Sequence, residues 1–165
     1  PTRIFRAIRF EQRYGFRMEP NTEHLLRSAV GLEVLSLVSP QRVRDELIQI
    51  LSEPRPIPAI QRMERLKVLR LLHPDLHLGE RTRRILEDVE ELLSEFGGLV
   101  RNGALQPWLV YLNAMLSNLE HRTAADLVQR YRFKASDVRR LLLDGAQAGR
   151  RLRNLARPDA LDSEI

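Results

Sequence analysis

Apolar residues recur along this chain at intervals of three and four, punctuated by Gly, Pro and capping residues, a pattern that predicts helices. Residues 2–14 are periodic and end at Gly15, a natural position for a left-handed helix terminator. Asn21 or Thr22 can cap a helix reaching about Val30, where Gly31 interrupts. Ser39 followed by Pro40 reads as a cap with proline at the first helical position, opening a helix to about Ser52. Residues 54–58 carry alternate prolines and read as a linker, because proline lacks an N–H and clashes inside a helix. Further helices are expected over about 59–72, 79–96, 105–118, 121–131 and 136–155, the last capped by Ser136. No run alternates with period two and no repeat has a fixed period, which counts against strands and against a regular solenoid. The expectation is an all-α chain, an irregular multi-helix bundle of about seven to eight helices.

Composition narrows the chemistry. A length of 165 residues, 43% apolar and 30% charged, suits a globular protein with a sizeable core. Having no cysteine excludes disulfides, thiol nucleophiles and thiolate metal sites, and fits a reducing, cytoplasmic setting. The longest near-apolar stretch, 107–119, falls well short of the roughly 20 residues needed to cross a bilayer, so no membrane partner is expected. The chain does not start with Met and reads as a piece of a longer one.

The net charge of +5 is unevenly spread: +3 over residues 1–30, −2 over 31–121, +7 over 122–157 and −3 over the rest. Arginine dominates the cations, and its planar fork suits phosphates and base edges. Positive charge gathered at two ends points to an anionic partner. On a wheel of roughly 100° per residue, Arg3, Arg6, Arg9, Arg13 and Arg17 share an arc of roughly 120°. Ile4, Phe5 and Ile8 lie opposite. Like charges at this spacing repel, so the stripe requires nucleic acid or acidic residues as a counterpart.

The run from Pro1 to Phe16, with Arg6-Ala7-Ile8-Arg9-Phe10 and Gly15-Phe16, resembles the neck-helix signature of class II tRNA nucleotidyltransferases and bacterial poly(A) polymerases. Phe10-Glu11-Gln12-Arg13-Tyr14 is most similar to the A-adding branch, and Ser39-Pro40-Gln41-Arg42-Val43 to the same neck. The resemblance implies a neck-like region over 1–53 and a body-like region over 57–165. Catalysis would reside in an N-terminal head with a Gly-rich loop and a D-x-D pair holding two metal ions, neither of which this sequence contains. The chain is therefore not expected to be catalytic alone. Mg and ATP are implied for the parent enzyme and no cofactor for this portion. The partners implied are the tRNA acceptor arm, the incoming nucleotide and the catalytic head of the same parent chain. Arg3 matches the family's base-reading arginine, while Arg6 and Arg9 match positions near the nucleotide and its phosphates.

The second basic block supplies RNA-binding candidates: Arg130, Arg132, Arg139, Arg140, Arg150, Arg151 and Arg153, joined by Arg13 from the first helix. Tyr131 and Phe133 alternate with two of these and read as core, as do Trp108, Tyr111, Met115 and Leu119 at helical spacing. Glu87, Asp88, Glu90, Glu91 and Glu95 read as the exposed face of helix 79–96, with Ile85, Leu86, Val89, Leu92, Leu93 and Phe96 on its buried side. Pro74 argues against a metal pair at His73 and His77, which read as a connecting loop. A protein-interaction scaffold, its Arg faces paired to acidic partner domains, is the alternative reading.

Overall fold

In a computed structural model the described residues are 2–32, 39–95 and 106–141, and they fold entirely as helices and connections. In chain order the helices are α1 (Thr2–Tyr14), α2 (Pro20–Gly31), α3 (Pro40–Leu51), α4 (Ile57–Arg65), α5 (Val68–Leu72), α6 (Glu80–Glu95), α7 (Pro107–Leu116), α8 (His121–Arg130) and α9 (Ala135–Arg139). The count exceeds the expected seven to eight because 59–72 is two helices. Lys67, at φ 60°, leaves the right-handed region and breaks the run there. The prolines of 54–58 do not keep the helix out of that stretch. Pro56 caps α4 and Pro58 sits in its first turn, where a missing N–H costs no helical bond.

Capping also departs from expectation at two places. Glu19, rather than Asn21 or Thr22, caps α2, its carboxylate accepting from the Thr22 amide at 2.9 Å. Lys134, rather than Ser136, occupies the cap of α9, which ends as an α-helix at Arg139. The chain stays helical through residue 141, and the continuation expected over 142–155 lies outside the described residues. Pro40 opens α3 as expected, although the Ser39 hydroxyl makes no capping bond.

The core is one contiguous apolar cluster. Ile4, Phe5 and Ile8 of α1 meet Val43, Leu47, Ile50 and Leu51 of α3 and Ile60 and Met63 of α4. The other side of α3 packs on α7, which buries Tyr111, Leu112, Met115 and Leu116, and α7 packs on α6. Met63 and Ile60 are fully buried, and truncating either to Ala would cost about 2–5 kcal/mol. Tyr131 and Phe133 are core, as expected. The Tyr131 hydroxyl donates to the Leu72 carbonyl at 3.3 Å, and Phe133 stacks on the half-buried Trp108 at 6.2 Å. On α6, Leu86 and Val89 are buried, but Leu92 is 51% exposed and does not join the core. Phe96 lies outside the described residues.

Candidate nucleic-acid interface

α1 presents its arginines because its other face is consumed by α3 and α4. Arg3 is exposed and makes no ion pair among the described residues. Arg6 lies 3.9 Å from Glu46. Arg9 lies 3.9 Å from Glu46 and 3.6 Å from Glu53, and Arg13 lies 3.5 Å from Glu53. These separations exceed the roughly 2.7–2.9 Å of a charge-assisted hydrogen bond, so the guanidinium donors remain largely uncommitted. Part of the acidic counterpart that the stripe requires is thus supplied within the chain, by α3 and the turn after it. Arg9 is the most enclosed, and its Nε, like Oε2 of Glu46, is buried without a hydrogen-bond partner. Arg17 leaves the helical arc, since α1 ends at Tyr14, and stands exposed on the following turn.

A second ionic group, not anticipated, fixes α1 in place. Arg62 of α4 donates to both oxygens of Glu11, at 2.7 and 3.0 Å, and to Glu23 of α2 at 2.6 Å. Glu11 also accepts from the Met18 amide at 3.1 Å. Burial pushes the Glu11 carboxyl up, but the Arg62 hydrogen bonds, the Met18 amide and the Arg62 charge bring it below its ordinary value of 4.5. The hydrogen bonds that Arg62 donates to Glu11 and Glu23 hold its guanidinium above the usual value, against its burial. Glu23, hydrogen-bonded by Arg62 and Arg27, is likewise lowered.

The C-terminal candidates divide. Arg130, Arg132, Arg139 and Arg140 are exposed, with the Arg130 guanidinium 5.7 Å from the centre of the Tyr131 ring. Arg150, Arg151 and Arg153 lie outside the described residues. Glu87, Asp88, Glu91 and Glu95 are exposed on α6, while Glu90 is half-buried. Burial, and then the charge of Glu90, push the neighbouring Tyr111 hydroxyl up to about 12. His73 accepts from the Asp75 amide at 3.2 Å, and Asn118 reaches both His77 and the Asp75 carbonyl at 3.0 Å, so both imidazoles belong to a bonded loop. Among the described residues no three His, Asp or Glu side chains gather to hold a metal ion. No described helix is long and apolar enough to cross a membrane.

Residues 15–78 match the family model described as "Probable RNA and SrmB- binding site of polymerase A". The A-adding tRNA nucleotidyltransferase of Geobacter sulfurreducens is 39% identical over 145 residues, which cover 84% of this chain and 16% of that one. Among solved structures, the Thermotoga maritima CCA-adding enzyme complexed with tRNA_CCA superposes with a TM-score of 0.77 at 29% identity. That match covers 94% of this chain and 38% of the other. A CCA-adding enzyme solved with CTP superposes equally well over 94% of this chain and 37% of its own. An all-α scaffold presenting an arginine face, with an RNA-binding region of polymerase type, places the chain in the tRNA nucleotidyltransferase family. The relatives from Geobacter sulfurreducens and Deinococcus radiodurans, each 39% identical over the matched part, are both A-adding enzymes. The chain spans about one sixth of the Geobacter relative.

Proposed function

We propose that this chain is the RNA- and nucleotide-recognising helical portion of a cytoplasmic enzyme that adds A, or CCA, to tRNA 3′ ends. The transfer itself belongs to a catalytic head. In this reading residues 1–53 form a neck beside that head and 57–165 a body that holds the tRNA acceptor arm. Arg3 donates to acceptor atoms on the edge of the incoming base, with Arg6 and Arg9 toward its phosphates. Arg13, Arg130, Arg132, Arg139, Arg140, Arg150, Arg151 and Arg153 contact RNA phosphates, which give affinity without sequence preference. One observation carries the reading: on α1 Arg3 is unpaired among the described residues, and Arg6, Arg9 and Arg13 share the carboxylates of Glu46 and Glu53 at 3.5–3.9 Å, so cations on this face outnumber the acids beside them.

Two measurements test it. The chain should bind tRNA with an affinity that falls steeply with salt, by a log–log slope of about −0.9 per neutralised duplex phosphate. Reversing Arg150, Arg151 and Arg153 to Glu should weaken binding far more than reversing the exposed Arg81, Arg83 and Arg84 on α6. Equal losses would mean that only total charge matters. In the full-length enzyme, Arg3→Ala should lower ATP incorporation or ATP-over-CTP preference about 5- to 150-fold, from roughly 1–3 kcal/mol for unpaired polar groups, and leave tRNA affinity near normal. Normal rate and preference would make Arg3 an ordinary surface residue.

A further inference from the structure

At the C-terminal end of α1 three aromatic rings form a ladder. Phe10 and Tyr14 lie 5.9 Å apart between ring centres, and Tyr14 and Phe16 5.6 Å apart. Tyr14 is 56% exposed and Phe16 68% exposed, and among the described residues no other Phe, Tyr or Trp is exposed. The ladder has a fixed frame. Gly15, at φ 66°, turns the chain so that Phe16 comes back against Tyr14, and the Met18 amide is tied to Glu11 just beyond.

Cations accompany the rings. The Arg9 guanidinium lies 4.7 Å from the Phe10 centre and that of Arg13 5.6 Å from the Tyr14 centre. Arg9 and Arg13 also line a cavity of about 250 Å³, together with Arg55 and Glu53. Three guanidiniums there face one carboxylate, and both Arg55 and Arg17, the residue after Phe16 in the chain, are exposed without an ion pair among the described residues. Cavity and ladder are joined through Arg13, which belongs to both.

Resting on the RNA-binding reading above, we infer that this strip docks unpaired RNA, Arg13 and Arg55 taking a backbone phosphate and Tyr14 and Phe16 stacking on unstacked bases. Duplex RNA keeps its base faces inside its own stack, so only a single-stranded segment offers them to a ring. Guanidinium groups along the strip, rather than apolar side chains, favour a polyanion over an apolar protein surface.

The test uses the 165-residue chain with two probes, a blunt RNA hairpin and the same hairpin carrying a short unpaired 3′ tail. Tyr14→Ala with Phe16→Ala should weaken binding to the tailed hairpin about 5- to 100-fold and leave the blunt one unchanged. Tyr14→Phe should bind as the parent does. Arg55→Ala should reduce the salt slope for the tailed probe by about 0.7, the single-strand value for one phosphate. Unchanged melting temperatures will confirm that these exposed substitutions leave the fold intact. Wild-type binding to neither hairpin would overturn the RNA reading itself. Normal wild-type binding with no loss, or equal loss on both probes, in the double variant would overturn the strip alone. So would unaltered RNA binding combined with altered self-association in sedimentation, which would make the rings a protein-docking face.

Discussion

A carboxylate beside the apolar face of a helix is costly unless its charge is answered, and Glu11 is answered by two donors from Arg62 and one from the Met18 amide. Its folded pKa is depressed, so the stability it contributes is present above its ordinary value of 4.5 and is lost as pH falls through the folded value. Glu11→Gln should cost roughly 1.5–3 kcal/mol near neutral pH, the worth of hydrogen bonds to a charged group. Thermal melts should also show the wild type losing stability below pH 4.5 while the variant changes less. Parallel curves would remove Glu11 from the pH dependence. A signal for this residue existed in the sequence. Glu11 follows Ile4 and Ile8 at helical spacing, an acid in line with the buried face, whereas Arg62 gave none because its partners lie 51 and 39 residues away.

Helix ends were legible where local chemistry alone sets them. Gly15 closes α1 and Pro40 opens α3 because backbone freedom and a missing N–H act without help from the rest of the chain. The break at Lys67 was not, since lysine rarely adopts the left-handed region and only the packing of α4 and α5 forces it there. Arg132 is similar. It follows α8 at φ 54°, with its amide bonded to the Gln129 carbonyl at 2.9 Å and that of Phe133 to Val128 at 3.1 Å, the double bond pattern of a Schellman end. A non-glycine residue there gives up roughly 1–2 kcal/mol, and glycine's greater unfolded freedom returns roughly 0.5–1 of it. Arg132→Gly should therefore leave stability unchanged or raise it by up to about 1.5 kcal/mol, while reducing the salt slope of tRNA binding by about 1. A lowered melting temperature would make the side chain structural.

At the scale of the whole molecule, helical periodicity carried the fold class, and the buried positions of α1, α3 and α7 follow from it. The arginine face was legible as a stripe, but its partial neutralisation was not. Arg6, Arg9 and Arg13 meet Glu46 and Glu53 only because α1 packs on α3, a pairing no local pattern encodes. The aromatic ladder was hidden for a related reason. The contact of Tyr14 with Phe16, and the exposure of both rings, appear only once the turn at Gly15 is built.

The Arg62 clasp also has a consequence in time. It closes loops of 51 and 39 residues, and the entropy of closing them must be met before the contact can form. Isolated helices relax in about 0.1–1 μs, so α1, α2 and α4 can flicker into existence well before Arg62 joins them. A contact of this kind belongs on the native side of the folding barrier. In stopped-flow chevrons, Glu11→Gln should then accelerate unfolding by most of its stability loss and hardly slow refolding. A refolding arm that absorbs the whole loss would instead put the clasp in the nucleus. With the clasp forming last, the arginine face of α1 acquires its aim only as folding finishes.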